Sequence, residues 1–256
     1  KVLQKDMSLI IREIKVKSIL TRSGIPGYYY CINPYVGCAH GCKYCYATFM
    51  KRYTGHTETW GNFVDVKTNA PEVLQRQLKR AIRGKVIISS VTDAYQPIEA
   101  KYKLTRQCLE VLLQHQFPID ILTKSPLVLR DMDLIKEFKD IEVGITITTD
   151  DDAIRKVFEP HAPSIMARIC TLKTLHDHGI QTYAFIGPVL PMNHEALSEK
   201  ISPHVDSVII DRMNYSSKTL KIYKRMNLNK WLDKSIIDNV IQKLKNGFAG
   251  KSVSIC

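Results

Sequence analysis

The stretch Cys38-Ala39-His40-Gly41-Cys42-Lys43-Tyr44-Cys45 constrains this chain more than any other. It sets three thiols at C-x3-C-x2-C spacing, just after the apolar run Tyr28–Ile32. Gly37 and Gly41 free the backbone to turn tightly enough for the sulfurs to converge on one metal centre. A helix could not do this without distortion, so the stretch is expected on a loop leaving a strand. A four-iron cube held by three thiolates keeps one iron open for another ligand. Zinc is the competing metal, with His40 as a fourth ligand. Structural zinc usually takes paired C-x2-C knuckles, however, and the sequence has no second pair. His40 is therefore read as a surface residue or one standing behind the ligands.

A chain of 256 residues can bury a full core as one α/β domain. Seven cysteines, an odd number with three clustered, argue against a secreted disulfide framework and for a reducing compartment. Cys31, Cys108 and Cys170 sit in apolar patterns and read as small buried hydrophobes. Cys256, in a Gly-containing tail, is not explained that way. No apolar run approaches the roughly 18 residues of a membrane span, and no signal-peptide pattern opens the sequence. The expectation is a soluble, cytoplasmic protein without a membrane partner.

The net charge of +12 is uneven. Residues 1–30 carry six Lys/Arg against two acids, residues 211–256 ten against three, and the middle is nearly neutral. Basic ends around a neutral core suit a polyanion, with nucleic acid, DNA or RNA, first. Tyr215, Tyr223 and Trp231 interleave with Lys218, Lys221, Lys224, Arg225 and Lys230, the composition of a stacking, phosphate-neutralising surface. The plain alternative is a solvated basic face.

After a basic segment to about Arg22 and a turn at Ser23–Gly27, strand and helix alternate. Strands are expected near Tyr28–Pro34, Lys85–Val91, Pro118–Lys124, Ile141–Thr148, Gln181–Pro188 and Val205–Asp211. Helices are expected at Tyr44–Tyr53, from Asn69 through Ile82, at Leu104–His115, Pro126–Phe138, Pro163–His178, His194–Ile201 and Ser235–Leu244. Asp150-Asp151-Asp152 reads as a cap for a helix at Ala153–Phe158. The fold class is α/β, a partial (β/α)6 TIM-type barrel: a basic N-terminal arm (1–27), a core (28–211) and a basic C-terminal cap and tail (212–256). In such folds functional groups gather at the C-terminal ends of the strands. Here those ends are the Cys38 loop, Ser89–Asp93, Thr123–Ser125, Thr146–Asp150, Gly187-Pro188 and Asp211-Arg212.

Cys38–Cys45, with aromatic Tyr44 between the last two cysteines, resembles the signature of the radical S-adenosylmethionine (SAM) superfamily. Asn33–Ala47, Val91–Glu99, Leu122–Leu127 and Phe158-Glu159-Pro160 through Arg168 are similar to its spore photoproduct lyase-related branch. The resemblance covers roughly residues 25–200. It implies a [4Fe–4S] cluster on Cys38, Cys42 and Cys45, with SAM chelating the open iron. Reduction, by an electron donor such as a ferredoxin or flavodoxin, would cleave SAM to a 5′-deoxyadenosyl radical that takes a hydrogen from the substrate. By position, Tyr44 lies against the adenine, Ser90 and Thr92 contact SAM, Lys124 pairs with its carboxylate, and Thr146, Arg168 and Glu159 stand nearby. The substrate suggested first is a thymine photoproduct or other nucleic-acid base in DNA repair. The alternatives are a radical SAM enzyme acting on a peptide or small metabolite, and a non-catalytic iron–sulfur or zinc protein that binds nucleic acid.

One departure matters. Photoproduct lyases carry a hydrogen-donating cysteine after the second strand, where this chain has Val91, and valine cannot return a hydrogen as a thiol does. Tyr46 and Tyr44 are the candidate relays, and Cys256 is a candidate donor if the tail folds back over the barrel mouth.

Overall fold

The computed structural model describes residues 9–256. Its strands are β1 (Ile10–Ile14), β2 (Leu20–Arg22), β3 (Tyr30–Ile32), β4 (Tyr35–Val36), β5 (Phe63–Lys67), β6 (Val86–Ile88), β7 (Ile119–Thr123), β8 (Ile141–Thr146), β9 (Gln181–Ile186), β10 (Ser207–Ile210) and β11 (Ser252–Ile255). Eight of them form one sheet in the order β11-β10-β9-β8-β7-β6-β3-β2. All pairs run parallel except β2 with β3. The sheet curls into a partial barrel with β2 and β11 at its two edges. The expected six strands are all there, shorter by two to four residues where their ends turn into loops.

Parallel strands must bury both faces, which is why these runs are continuously apolar. Ile32, Ile88, Ile121 and Val143 follow one another in register across four strands, and none is exposed. That register sets the residues just beyond them at one end of the barrel.

The helices are α1 (Ala70–Leu78), α2 (Glu99–Tyr102), α3 (Leu104–Gln114), α4 (Met132–Ile135), α5 (Asp152–Phe158), α6 (Ile165–Asp177), α7 (His194–Ile201), α8 (Leu220–Arg225) and α9 (Lys234–Gly247). Side-chain caps fix several starts: Asp151 accepts from the Ala153 N–H at 2.7 Å, and Ser164 from Ala167 at 3.2 Å. The acidic triplet is thus a cap, as its sequence suggests. Among the described residues no helix is long and apolar enough to cross a membrane.

Several expectations need correction. The Asn69 helix stops at Leu78, leaving Ile82 on the surface. Tyr46–Tyr53 and Pro126–Asp131 are 3-10 rather than α-helical. Met166 and Cys170 lie on the exposed side of α6. A second sheet, β1-β5-β4, has no clear sequence signal: Phe63–Lys67 carries Asp65 at its centre and Lys67 at its end in place of a continuous apolar run. Within the basic arm, β1 pairs with β5 and β2 is an edge strand of the barrel, while residues 1–8 fall outside the described chain. In the tail, β11 pairs with β10.

Inside the barrel, Asp120 on β7 accepts hydrogen bonds from the phenols of Tyr28 and Tyr183. Gly144 is required here: a Cβ on it would fall within the Tyr183 ring lying across β8. Burial raises the Asp120 carboxyl to about 6, against the pull of those hydrogen bonds. A carboxyl raised on folding contributes stability below its unfolded value, and that contribution is lost as pH rises through 6. Wild type should therefore lose ~2–3 kcal/mol relative to Asp120→Asn between pH 4 and pH 7. Urea unfolding of both proteins at the two pH values checks this; a constant difference would refute it.

Candidate active site

A cavity of about 590 Å³ opens at the C-terminal ends of the strands. Cys38, Cys42 and Cys45 form one wall, and Ser90, Thr92, Lys124 and Thr146 come from the ends of β6, β7 and β8. Tyr183, Phe185, Ile209 and Cys256, on or just after β9, β10 and β11, form the other side.

The cysteine loop is two successive turns, with Gly41 N–H on the Cys38 carbonyl and Cys45 N–H on the Cys42 carbonyl, each at 3.2 Å. Gly37 enters it at φ +85°, with the Phe63 ring so close that no side chain fits. The loop is tied to the β6 end: the Thr92 hydroxyl donates to the Gly37 carbonyl at 2.6 Å, and Gln96 holds both Gly37 O and Ala39 N–H. Asn33 holds the same segment through Ser90 Oγ and the Val91 N–H. Ser89, at φ +68°, makes the bend.

Burial raises all three thiols, Cys42 to about 12; the Asp93 charge adds to it at Cys38, while the Lys124 charge opposes it at Cys42 and Cys45. Such sulfurs shed their protons when a metal takes the proton's place. Among the described residues no three His, Cys, Asp or Glu side chains are gathered as around a single ion. The donor set on this wall, three thiols, suits a cube that keeps one iron open rather than a closed four-ligand zinc site. His40 is not at the surface: it is 1% exposed, with Nε2 3.3 Å from Asp93 but no aligned hydrogen bond on either ring nitrogen.

Behind Lys124 lies a dry ionic knot. Glu159, fully buried, accepts from the Arg168 guanidinium, the Tyr44 phenol and, at 3.2 Å, the Thr148 hydroxyl. Lys124 Nζ is 4.0 Å from Glu159 and faces the Tyr44 ring. Burial would raise Glu159, but the Arg168 and Lys124 charges outweigh it and hold the carboxyl down. Arg168 does not reach the cavity. Its charge is used on Glu159, and its remaining donors on the Thr146 and Pro163 carbonyls. It supports Thr146 from behind.

Tyr46 lines the cavity, stacks with Phe49 and donates to the Ser90 carbonyl; burial raises its phenol to about 12. Cys256 reaches the cavity because β11 carries it there, its N–H on the Ile210 carbonyl at 2.9 Å. Burial and the Asp211 charge raise its thiol. Lys218 turns inward, donating at 2.7 Å to both the Cys45 carbonyl and Thr48 Oγ1. The cap is thereby fastened to the cysteine loop.

The family model for the radical SAM superfamily matches residues 32–201. The chain belongs to that superfamily. It is a radical SAM enzyme, and the partial barrel with its strand-end cavity is that family's fold. An uncharacterized protein of Methanocaldococcus jannaschii is 41% identical over 246 residues, 92% of this chain and 93% of that one. A radical SAM Nalpha-GlyT isomerase of Pseudomonas phage M6 is 28% identical over 161 residues, 62% of this chain and 33% of its own length. Spore photoproduct lyase, solved with a dinucleoside spore photoproduct, superposes with a TM-score of 0.67 at 14% identity, covering 96% of this chain and 82% of that one.

Sequence reasoning missed the pins of the site. Asn33, Gln96 and Lys218 act through bonds to residues 55 or more positions away, which no local pattern signals.

Proposed function

We propose that this enzyme binds a [4Fe–4S] cluster on Cys38, Cys42 and Cys45 and SAM beside it, and abstracts hydrogen from a nucleic-acid base. The bound pair supplies a hydrogen-abstracting 5′-deoxyadenosyl radical, with the electron drawn from a ferredoxin- or flavodoxin-class donor. Lys124 offers the cation for the SAM carboxylate, Tyr44 a ring for the adenine, and Ser90, Thr92 and Thr146 polar edges. Arg168 and Glu159 orient Lys124 and Tyr44 rather than touching SAM. The observation carrying this reading is one cavity that joins three thiols, an inward lysine and a deep apolar wall. A base lesion, thymine photoproduct first, is supported by the dinucleoside bound to the fold neighbour and by the basic segment 212–232 with exposed Tyr215 beside the mouth; Tyr223 is not a stacking ring, being buried against Phe158.

Tyr46 and Cys256 are the hydrogen-handling candidates. A thiol on the wall gives its hydrogen to a carbon radical, S–H breaking as C–H forms; one electron from the donor and a solvent proton then restore it. Reconstituted protein with dithionite and SAM should release 5′-deoxyadenosine, and photoproduct-bearing oligonucleotides should raise that release above peptides or unmodified nucleic acid. An equal response to every member of the panel would remove the nucleic-acid reading. Cys256→Ala should cut product by about tenfold or more while 5′-deoxyadenosine still forms. Unchanged product would take Cys256 out of the reaction.

A further inference from the structure

The fold sets cations of the basic N-terminal segment beside others from the near-neutral middle of the sequence. Residues 14–22 contain Lys15, Lys17 and Arg22, and residues 73–84 contain Arg76, Lys79, Arg80 and Arg83; neither segment has an acid. Three sets of hydrogen bonds hold the two side by side. Gln77 Oε1 accepts from the Ile19 and Leu20 N–H groups at 2.8 and 2.9 Å. Asn69 accepts from the Val16 N–H at 2.9 Å. The Tyr29 N–H, beyond the turn from Arg22, bonds the Lys85 carbonyl at 2.9 Å.

All seven cations are exposed, and none forms an ion pair among the described residues. Arg83 reaches only the Gln116 carbonyl, and Arg22 lies on the Tyr29 ring at 3.8 Å. Lys17, Arg76, Lys79 and Arg80 line a groove of about 620 Å³ between β2 and α1. It shares no residue with the strand-end cavity. Edge strands often carry a lysine or two against mispairing, but β2 is three residues long and four of these cations belong to α1 and the turn after it.

We infer that this flank is a second nucleic-acid binding surface, holding the phosphate backbone away from the reaction cavity. Its charges are unpaired, of one sign and set around a concave groove, which suits a phosphate strand. An acidic membrane would call for a protruding apolar face, and Ile82 alone supplies little of one. The inference shares its ligand class with the proposed substrate, but it concerns backbone binding and not base chemistry.

The test is the salt dependence of binding to a short DNA duplex, comparing wild type with the quadruple variant Lys17→Gln, Arg76→Gln, Lys79→Gln, Arg80→Gln. The slope of log K against log salt should shallow by about 0.9 for each phosphate that the variant no longer neutralises. A matching variant of Lys221, Lys224 and Lys230 gives the contribution of the cap. A flank variant with the wild-type slope overturns the proposal. So does wild type that binds vesicles of anionic lipid and not DNA. If the flank variant loses DNA while no nucleic acid raises 5′-deoxyadenosine release, the flank stands and the substrate reading falls.

Discussion

Glu159→Ala is expected to cost about 3–5 kcal/mol of stability, among the largest losses any single substitution here would cause. The carboxylate and the Arg168 guanidinium are both fully buried, so removing one strands the other's charge in a dry interior. The Tyr44 phenol and Lys124 lose their shared acceptor as well. SAM affinity should therefore fall together with stability. The double variant Glu159→Leu, Arg168→Met should recover part of the stability, because it leaves no lone charge, but not the SAM affinity. Denaturant unfolding and equilibrium SAM binding on the three proteins decide it. A single variant with wild-type stability would mean that the knot is not the support described here.

The second large effect belongs to Gly37. Gly37→Ala should greatly reduce iron uptake on anaerobic reconstitution, with a control available at Gly27. Both glycines sit at φ +85°, a conformation costing a side chain about 1–3 kcal/mol. A Cβ on Gly27 meets nothing within 4 Å, whereas one on Gly37 runs into the Phe63 carbonyl and finds its ring 2.9 Å away. Gly27→Ala should thus lower stability modestly and leave iron content alone. Equal iron in the two variants would show that the close approach to Phe63 does not hold the cysteine loop.

Much of this was legible in the chain because parallel βα units write themselves as repeated apolar runs and amphipathic helices. Cys38, Cys42, Cys45, Ser90, Thr92, Lys124 and Thr146 fall on one cavity because strand ends share one rim. Arg168 shows the limit: a helix arginine that reaches the cavity and a buried partner of Glu159 look alike in sequence, and only packing separates them. The sequence carries only part of the charge distribution for a related reason. Net charge summed along the sequence puts the basic segments at the two ends, while Gln77 and Asn69 bring Lys17 beside Arg76, Lys79 and Arg80 from the near-neutral middle. Ser-Val-Ser-Ile at β11 alternates as a strand should, yet four residues carry too little signal without a neighbour to pair with.

The place of β11 has a consequence for synthesis. The cysteine loop emerges early, but the wall facing it is completed only by a strand made about 210 residues later. At roughly 5–20 residues per second, Cys38–Cys45 would wait on the order of 10–40 s for that wall. Throughout that interval the thiols stay within reach of an assembly protein carrying iron and sulfide, and equally of oxygen. Cluster delivery to the growing chain, before β11 docks beside β10, would use a wider opening than the cavity of the finished protein offers.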